Sequence, residues 1–142
     1  SELCSEVYTI EIDPELAARA SELLAKLGYD NVHVRSGDGF YGWPEAAPFD
    51  AVIITAAAPR IPVRLVAQLR EGGRLAMPLG PGMAQKLVKG IKRGGQLSMQ
   101  QAGSVLFVPM TGVIRNPGQS PSSTEPAASP SPGGFGSAPS TR

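Results

Sequence analysis

The stretch "EVYTIEIDPELAARASELLAKLG", residues 6–28, changes its apolar period across a short acidic turn. Its first half is a β-rich apolar run closing on Glu11, which predicts a buried strand. Asp13 then offers an N-cap oxygen, and Pro14 suits the first helical position because its missing N–H has no partner there. Leu16, Ala20, Leu23, Leu24 and Leu27 fall on one face of the helix that follows, and Gly28 suits the left-handed position at its end. A strand feeding directly into an amphipathic helix is the opening of a β-α-β unit.

The pattern repeats downstream. "NVHVRSGDG" (31–39) is a short strand running into a Gly-Asp-Gly turn. "FDAVIITAAAP" (49–59) is a third strand, continuous in its apolar residues, as a central strand covered on both faces would be. Pro59 and Pro62 bracket the start of a second helix with Val63, Val66, Ala67 and Leu69 as its apolar positions. "EGGRLAMPLG" (71–80) reads as a Gly-Gly turn into a strand. Alternating strands and helices imply parallel pairing with right-handed crossovers. After Gly82 the alternation stops. "QKLVKGIKRGGQLSMQQ" (85–101) holds two extended runs around Gly94-Gly95, and "GSVLFVPMTG" (103–112) supplies a last strand ending at Pro109. A helix over 86–92 also fits the spacing, but the Gly-Gly turn favours an antiparallel meander. The expected architecture is α/β: a Rossmann-like sheet with an antiparallel C-terminal edge.

Composition sets the outer bounds. Residues 1–115 carry the Val, Ile, Leu and Ala for one core, whereas 116–142 ("NPGQSPSSTEPAASPSPGGFGSAPSTR") are Pro-, Ser- and Gly-rich. Such a segment buries too little apolar surface to offset its ordering entropy and is expected to be a disordered tail. Net charge is +1, which gives no broad case for nucleic acid. Residues 1–71 hold eleven acids and six bases, and 72–124 hold six bases and no acid. The cluster Lys86, Lys89, Lys92 and Arg93 reads as a solvated face. With Cys4 the single cysteine and His33 the single histidine, neither an intrachain disulfide nor a Cys/His metal site is expected. A reducing cytoplasm fits, and no apolar run is long enough for a membrane span.

In open α/β sheets ligands bind beyond the carboxyl ends of the strands. Glu11 stands at such an end, where an acid accepts hydrogen bonds from ribose hydroxyls. Asp38 stands at the next, where a carboxylate can accept from an adenine amino group. Each acid taken singly fits a turn or cap equally well, but together they match an adenosine.

The blocks "VYTIEIDPEL", "NVHVRSGDGFYGWPEAAPFDAVIITAAAP", "QLREGGRLAMPLGP" and "LFVPMTG" resemble, in order, those of protein-L-isoaspartate O-methyltransferases. The resemblance runs from about Glu6 to Gly112. It implies an S-adenosylmethionine-dependent methyltransferase sheet and the repair of isoaspartyl residues in damaged proteins. Glu11 would then hold the cofactor ribose, and Asp38 with Gly37 and Gly39 would meet the adenine. Ala56, Ala57, Ala58 and Pro59 would line the floor near the reactive methyl, and Val108 to Thr111 would lie beside the peptide substrate. Tyr41 and Trp43 would cover the adenine or pack their loop, and packing is favoured. A monomer without nucleic-acid, metal or membrane partners is expected.

The resemblance also implies features upstream of Ser1: a strand with a Gly-rich turn for the methionine part of the cofactor, and a hydroxyl residue beside the methyl acceptor. The expected sheet is therefore incomplete at the N-terminus, no catalytic residue is assigned within the chain, and its activity alone is open. One alternative is an inactive partial fold that serves, if at all, as a binding module. Another is an NAD-dependent enzyme using Glu11 on the ribose, against which "AAAP" and "FVPMTG" argue.

Overall fold

The computed structural model describes residues 1–114; Arg115 and the expected tail at 116–142 lie outside them. The elements are β1 (Val7–Glu11), α1 (Pro14–Lys26), β2 (Val32–Ser36), β3 (Phe49–Ile53), α2 (Val63–Ala67), β4 (Leu69–Leu79), β5 (Gln85–Arg93) and β6 (Gln96–Val105), with 3-10 turns at Gly39–Tyr41 and Pro44–Ala46. β1 and β2 pair in parallel as one two-stranded sheet. β3 to β6 form a second sheet, parallel between β3 and β4 and antiparallel onward. The α/β alternation and the antiparallel edge are thus as expected, and the sheet is divided between β1 and β3.

The first unit follows its sequence closely. The Asp13 carboxylate accepts from the amides of Glu15 (2.9 Å) and Leu16 (3.1 Å), Pro14 opens α1, and Gly28 takes φ +78° just beyond its end. The apolar face is narrower than its leucines imply. Ala17 is buried and Ala20 and Leu24 are half-buried, whereas Leu16, Leu23 and Leu27 are exposed. Two strands do not make a floor wide enough to cover the full stripe of a helix. For the same reason β1 is not the buried strand expected: Tyr8 and Thr9 are exposed.

β3 likewise packs on one face only. Val52 and Ile54 join the core while Ala51 and Ile53 stay exposed. The core comprises Ala58, Leu69, Leu75, Met77, Val88 and Ile114, all nearly inaccessible. The second helix is only five residues long, and Leu69 belongs to β4, where it is buried. The helix stops where the chain turns to pair with β3, the Phe49 amide bonding to the Gln68 carbonyl, and Lys92 caps it: its ammonium donates to the carbonyls of Ala67 (3.2 Å) and Leu69 (2.7 Å) at the helix's negative end. One member of the expected solvated cluster is therefore structural. The Gly72-Gly73 pair lies inside β4 as an irregularity, not before it; the register jumps from Phe49↔Leu69 to Ala51↔Arg74.

The Gly94-Gly95 turn, with φ of +57° and +76°, joins β5 to β6 and matches a two-residue hairpin whose twist suits the strands. This excludes the helix over 86–92. The last strand also departs from expectation. β6 ends at Val105, and residues 106–112 run as irregular chain with one bridge, Ala57↔Pro109.

Candidate functional site

The carboxyl ends of β1, β2 and β3 meet at one rim, and residues 107–113 arch over it. Three side-chain or backbone ties hold the arch. Gln85, 2% exposed, receives the Phe107 amide on its carbonyl (2.6 Å) and donates to the carbonyls of Phe107 (3.0 Å) and Gly82 (2.7 Å). Ala57 donates to the Val108 carbonyl and accepts from the Met110 amide, both at 2.8 Å. Asp38 accepts from the Val113 amide at 2.8 Å. A fourth tie fixes the neighbouring loop, where the Gln68 carboxamide accepts from the Trp43 amide (2.9 Å) and donates to the Tyr41 carbonyl (2.8 Å).

Glu11 sits at this rim, half-buried. One of its oxygens accepts from the Asp13 amide at 3.1 Å, which leaves the other for a ligand. Asp38 differs. Its second oxygen takes the Phe40 amide at 2.9 Å, so both carboxylate oxygens are engaged within the protein. The acid chosen for adenine thus has a structural task, and any ligand contact at this turn falls first to backbone. Gly37 and Gly39 leave that backbone open. Neither has a positive φ, and a Cβ at either would meet nothing closer than ordinary contact, 4.0 Å from Ile10 and 3.7 Å from Met110. Gly42 and Gly112, by contrast, have φ of +66° and +89°, and a Cβ there would overlap Gln68 and Asp38. The fold needs glycine at 42 and 112. It does not need glycine at 37 or 39.

Of the residues expected near substrate, Val108 and Thr111 are exposed on the arch and line a cleft of about 830 Å³ that Glu11, Gly39 and Ala56 also line. Pro59 is exposed nearby in sequence. Ala57 and Ala58 are buried, and Ala58 spends its amide on Pro78 and its carbonyl on Gly80. Their part is to tie the arch and β4 to the rim. Trp43 packs against β1 and β2, with the Arg35 guanidinium 3.8 Å over its ring and Tyr8 edge-on to it, and it also lines the cleft. Gln68 and Gln85 were missed. A lone Gln inside an apolar run, as in "VAQL" and "MAQKLV", is the signal that was there to read.

Arg35 also reaches Glu45 at 3.3 Å. A hydrogen bond from the Glu45 backbone and, after it, this guanidinium hold the Glu45 carboxyl below its ordinary value. A lowered folded pKa contributes stability above the unfolded value and loses it as pH falls through the folded one. Acid titration of unfolding is therefore expected to show a small advantage over Glu45→Gln at pH 7 that disappears in acid. An advantage growing toward low pH would contradict the assignment.

Among the described residues no helix is long and apolar enough to cross a membrane, and no group of acids, His or Cys could hold a metal ion.

The family model for protein-L-isoaspartate(D-aspartate) O-methyltransferase matches residues 2–115. A protein-L-isoaspartate O-methyltransferase 2 of Shewanella sediminis is 50% identical over 113 residues, covering 79% of this chain and 46% of its own. One from Opitutus terrae is 49% identical over 112 residues, covering 78% and 48%. The chain thus spans about half the length of these curated relatives. A solved protein-L-isoaspartate O-methyltransferase superposes with TM-score 0.73 at 27% identity, over 77% of this chain and 35% of that one. A Plasmodium falciparum structure, described as a β-aspartate methyltransferase in complex with S-adenosyl-L-homocysteine, gives TM-score 0.65 at 24% identity over 75% and 52%; this likeness concerns the fold.

Proposed function

The chain belongs to the protein-L-isoaspartate(D-aspartate) O-methyltransferase family, and from that premise we propose that its rim is the adenosine end of an S-adenosylmethionine site serving methyl transfer to isoaspartyl carboxylates. The observation that carries this reading is the Gly37-Asp38-Gly39 turn beside Glu11: two glycines the fold does not require, next to an acid with an oxygen to spare. Glu11 would accept from the ribose hydroxyls, and the backbone of 37–39 would approach the adenine. S-adenosylmethionine, when bound, supplies a methyl group activated by its sulfonium.

The proposed acceptor asks no proton-transfer apparatus of the rim. A side-chain or main-chain carboxylate is ionised near neutral pH and needs no general base. The protein's work is then to align the acceptor and exclude water, and alignment contributes about 7–11 kcal/mol in favourable systems. Backbone and shape suffice for that, and the arch at Val108–Thr111 with Pro59 offers them. The proposed setting is cytoplasmic and monomeric, with damaged proteins as partners and no nucleic acid. The divided sheet favours a second reading, in which residues 1–142 alone bind without turnover and the activity belongs to a longer form.

Calorimetric titration of the chain with S-adenosylhomocysteine tests the site. Saturable binding is expected, with Glu11→Ala weakening it about tenfold, or 1.4 kcal/mol. Gly39→Ala should weaken it as well while leaving Tm unchanged or slightly raised, because Ala at a compatible φ restricts the unfolded chain. A folded chain that binds nothing, or a Gly39→Ala protein that binds as wild type, would overturn the site. Failure of a longer form to methylate an isoaspartyl peptide would overturn the reaction.

A further inference from the structure

Asp38-Gly39 is the single Asp-Gly pair of the chain, and the sequence holds no Asn-Gly. Such pairs are chemically labile. The nitrogen of the following residue can attack the side-chain carboxyl and close a five-membered imide. Glycine hinders that attack least, because it has no Cβ and turns most freely. The pair lies in the rim turn, half-buried and within reach of water. The fold is indifferent to a Cβ at Gly39, whose nearest neighbour would be the Met110 methyl at 3.7 Å. The Gly39 amide has no acceptor among the described residues.

The surrounding structure holds the two reacting atoms apart. Asp38 has ψ 114°. Ring closure in an L residue needs a strongly negative ψ, which brings the next nitrogen beside Cβ. At 114° that nitrogen stands on the far side of the Cα–C bond. Reaching the reactive geometry breaks three hydrogen bonds. Rotation takes the Asp38 carbonyl from the Tyr41 amide, which it accepts at 3.2 Å, and so releases the 3-10 turn. Swinging Cγ toward the nitrogen takes its oxygens from the amides of Phe40 (2.9 Å) and Val113 (2.8 Å). The bonds to Tyr41 and Phe40 are local to the turn. The third comes from 75 residues away and exists only while the arch is seated.

We infer that Asp38 is a site of spontaneous isoaspartyl formation, kept unreactive by the arch and opened to reaction when the Val113 tie is released. The Gly39 nitrogen bonds to Asp38 Cγ, and one carboxyl oxygen leaves as water with the amide proton and a second proton from solvent. Water then adds to the imide. Addition at the side-chain carbonyl restores Asp38. Addition at the main-chain carbonyl breaks the original Asp38–Gly39 peptide bond instead. The chain then runs through Cγ, one methylene longer, with the freed carboxylate on Cα and no net change in mass. That carboxylate has lost the methylene that carried it to the amides of Phe40 and Val113, so the two ties do not re-form. An arch of irregular chain opens at less cost than the core behind it, which lets the reaction proceed from locally open molecules. On the adenosine reading of this turn the product also loses its ligand, but the inference does not rest on that reading.

The test ages the 142-residue chain near neutral pH and maps the proteolytic peptide that carries residues 38–39, whose aspartyl and isoaspartyl forms share a mass and separate by chromatography. The folded chain is expected to isomerise at least about tenfold more slowly than the same chain in concentrated guanidinium chloride. Gly112→Ala, whose Cβ would overlap the Asp38 carboxylate, should isomerise several-fold faster than wild type while the Leu75 amide keeps its exchange protection. Lys92→Met removes the cap on α2 and leaves the ties of Asp38 in place, so it should stay at the wild-type rate. If Gly112→Ala does not fold, graded denaturant on the wild-type chain replaces it. The rate must then rise where the Val113 amide exchanges freely and Leu75 is still protected. Equal rates in the folded and denatured chain, or no isomerisation in denaturant, would overturn the inference. So would a rate that rises only as Leu75 loses protection, since the reaction would then run through global unfolding and not through the arch. No cofactor enters the experiment, so its failure is separable from failure of the methyl-transfer reading.

Discussion

Gln85→Leu is expected to lower the unfolding free energy by about 3–4 kcal/mol, a large share of the 5–15 kcal/mol typical of a domain. The side chain makes three hydrogen bonds at 2% exposure, and its loss leaves the Phe107 amide, the Phe107 carbonyl and the Gly82 carbonyl without partners. Each such group costs about 1–3 kcal/mol when left unpaired and away from water. The low end of the summed range applies because Phe107, 38% exposed, and the exposed Gly82 let water reach part of the gap. Urea denaturation with an unchanged m-value measures the effect. The damage should also be directional. With the 107 anchor gone, the Met110 amide, which bonds to Ala57, should exchange faster than the Leu75 amide in the core. A cost below about 1 kcal/mol would mean that water replaces the carboxamide and that Gln85 does not hold the arch.

The legibility of this fold divides by range. What was read correctly depended on neighbours in sequence: Asp13 and Pro14 opening α1, Gly28 ending it, Gly94-Gly95 turning β5 into β6. What was misread depended on partners distant in sequence. Leu69 fits the helical period after Pro62, yet it pairs with Phe49 of β3, twenty residues back, and Lys92, on β5, caps the shortened helix at the Ala67 carbonyl. Leu16, Leu23 and Leu27 have the spacing of a buried stripe, yet no neighbouring element among the described residues reaches them. At the rim, the sequence places Glu11 and the Gly-Asp-Gly turn at strand ends, where ligands bind in such folds. The ties that shape the rim are not legible there, because a Gln that bonds to backbone 22 or 25 residues away leaves no local period.

Asp38→Ala is expected to cost about 3–4 kcal/mol of stability before any ligand is added, near the low end for two hydrogen bonds to a charged group at about 1.5–3 kcal/mol each, because Asp38 is only half-buried. Its carboxylate holds the Phe40 amide at one oxygen and the Val113 amide, 75 residues on, at the other. Glu11→Ala removes one exposed bond to the Asp13 amide and should cost under about 1 kcal/mol. The two acids, paired on sequence grounds as one adenosine site, therefore separate by thermodynamics. Weakened S-adenosylhomocysteine binding by Asp38→Ala would by itself say little, because the turn and the arch loosen together. Gly112→Ala sharpens the distinction. It keeps the carboxylate, but a Cβ at φ +89° would overlap it and push the Val113 amide away. If Asp38 acts by tying β2 to the arch, Gly112→Ala should reproduce most of the stability loss of Asp38→Ala in urea denaturation. If Asp38→Ala leaves the unfolding midpoint unchanged and removes binding alone, the tie contributes nothing and the acid belongs to the ligand after all.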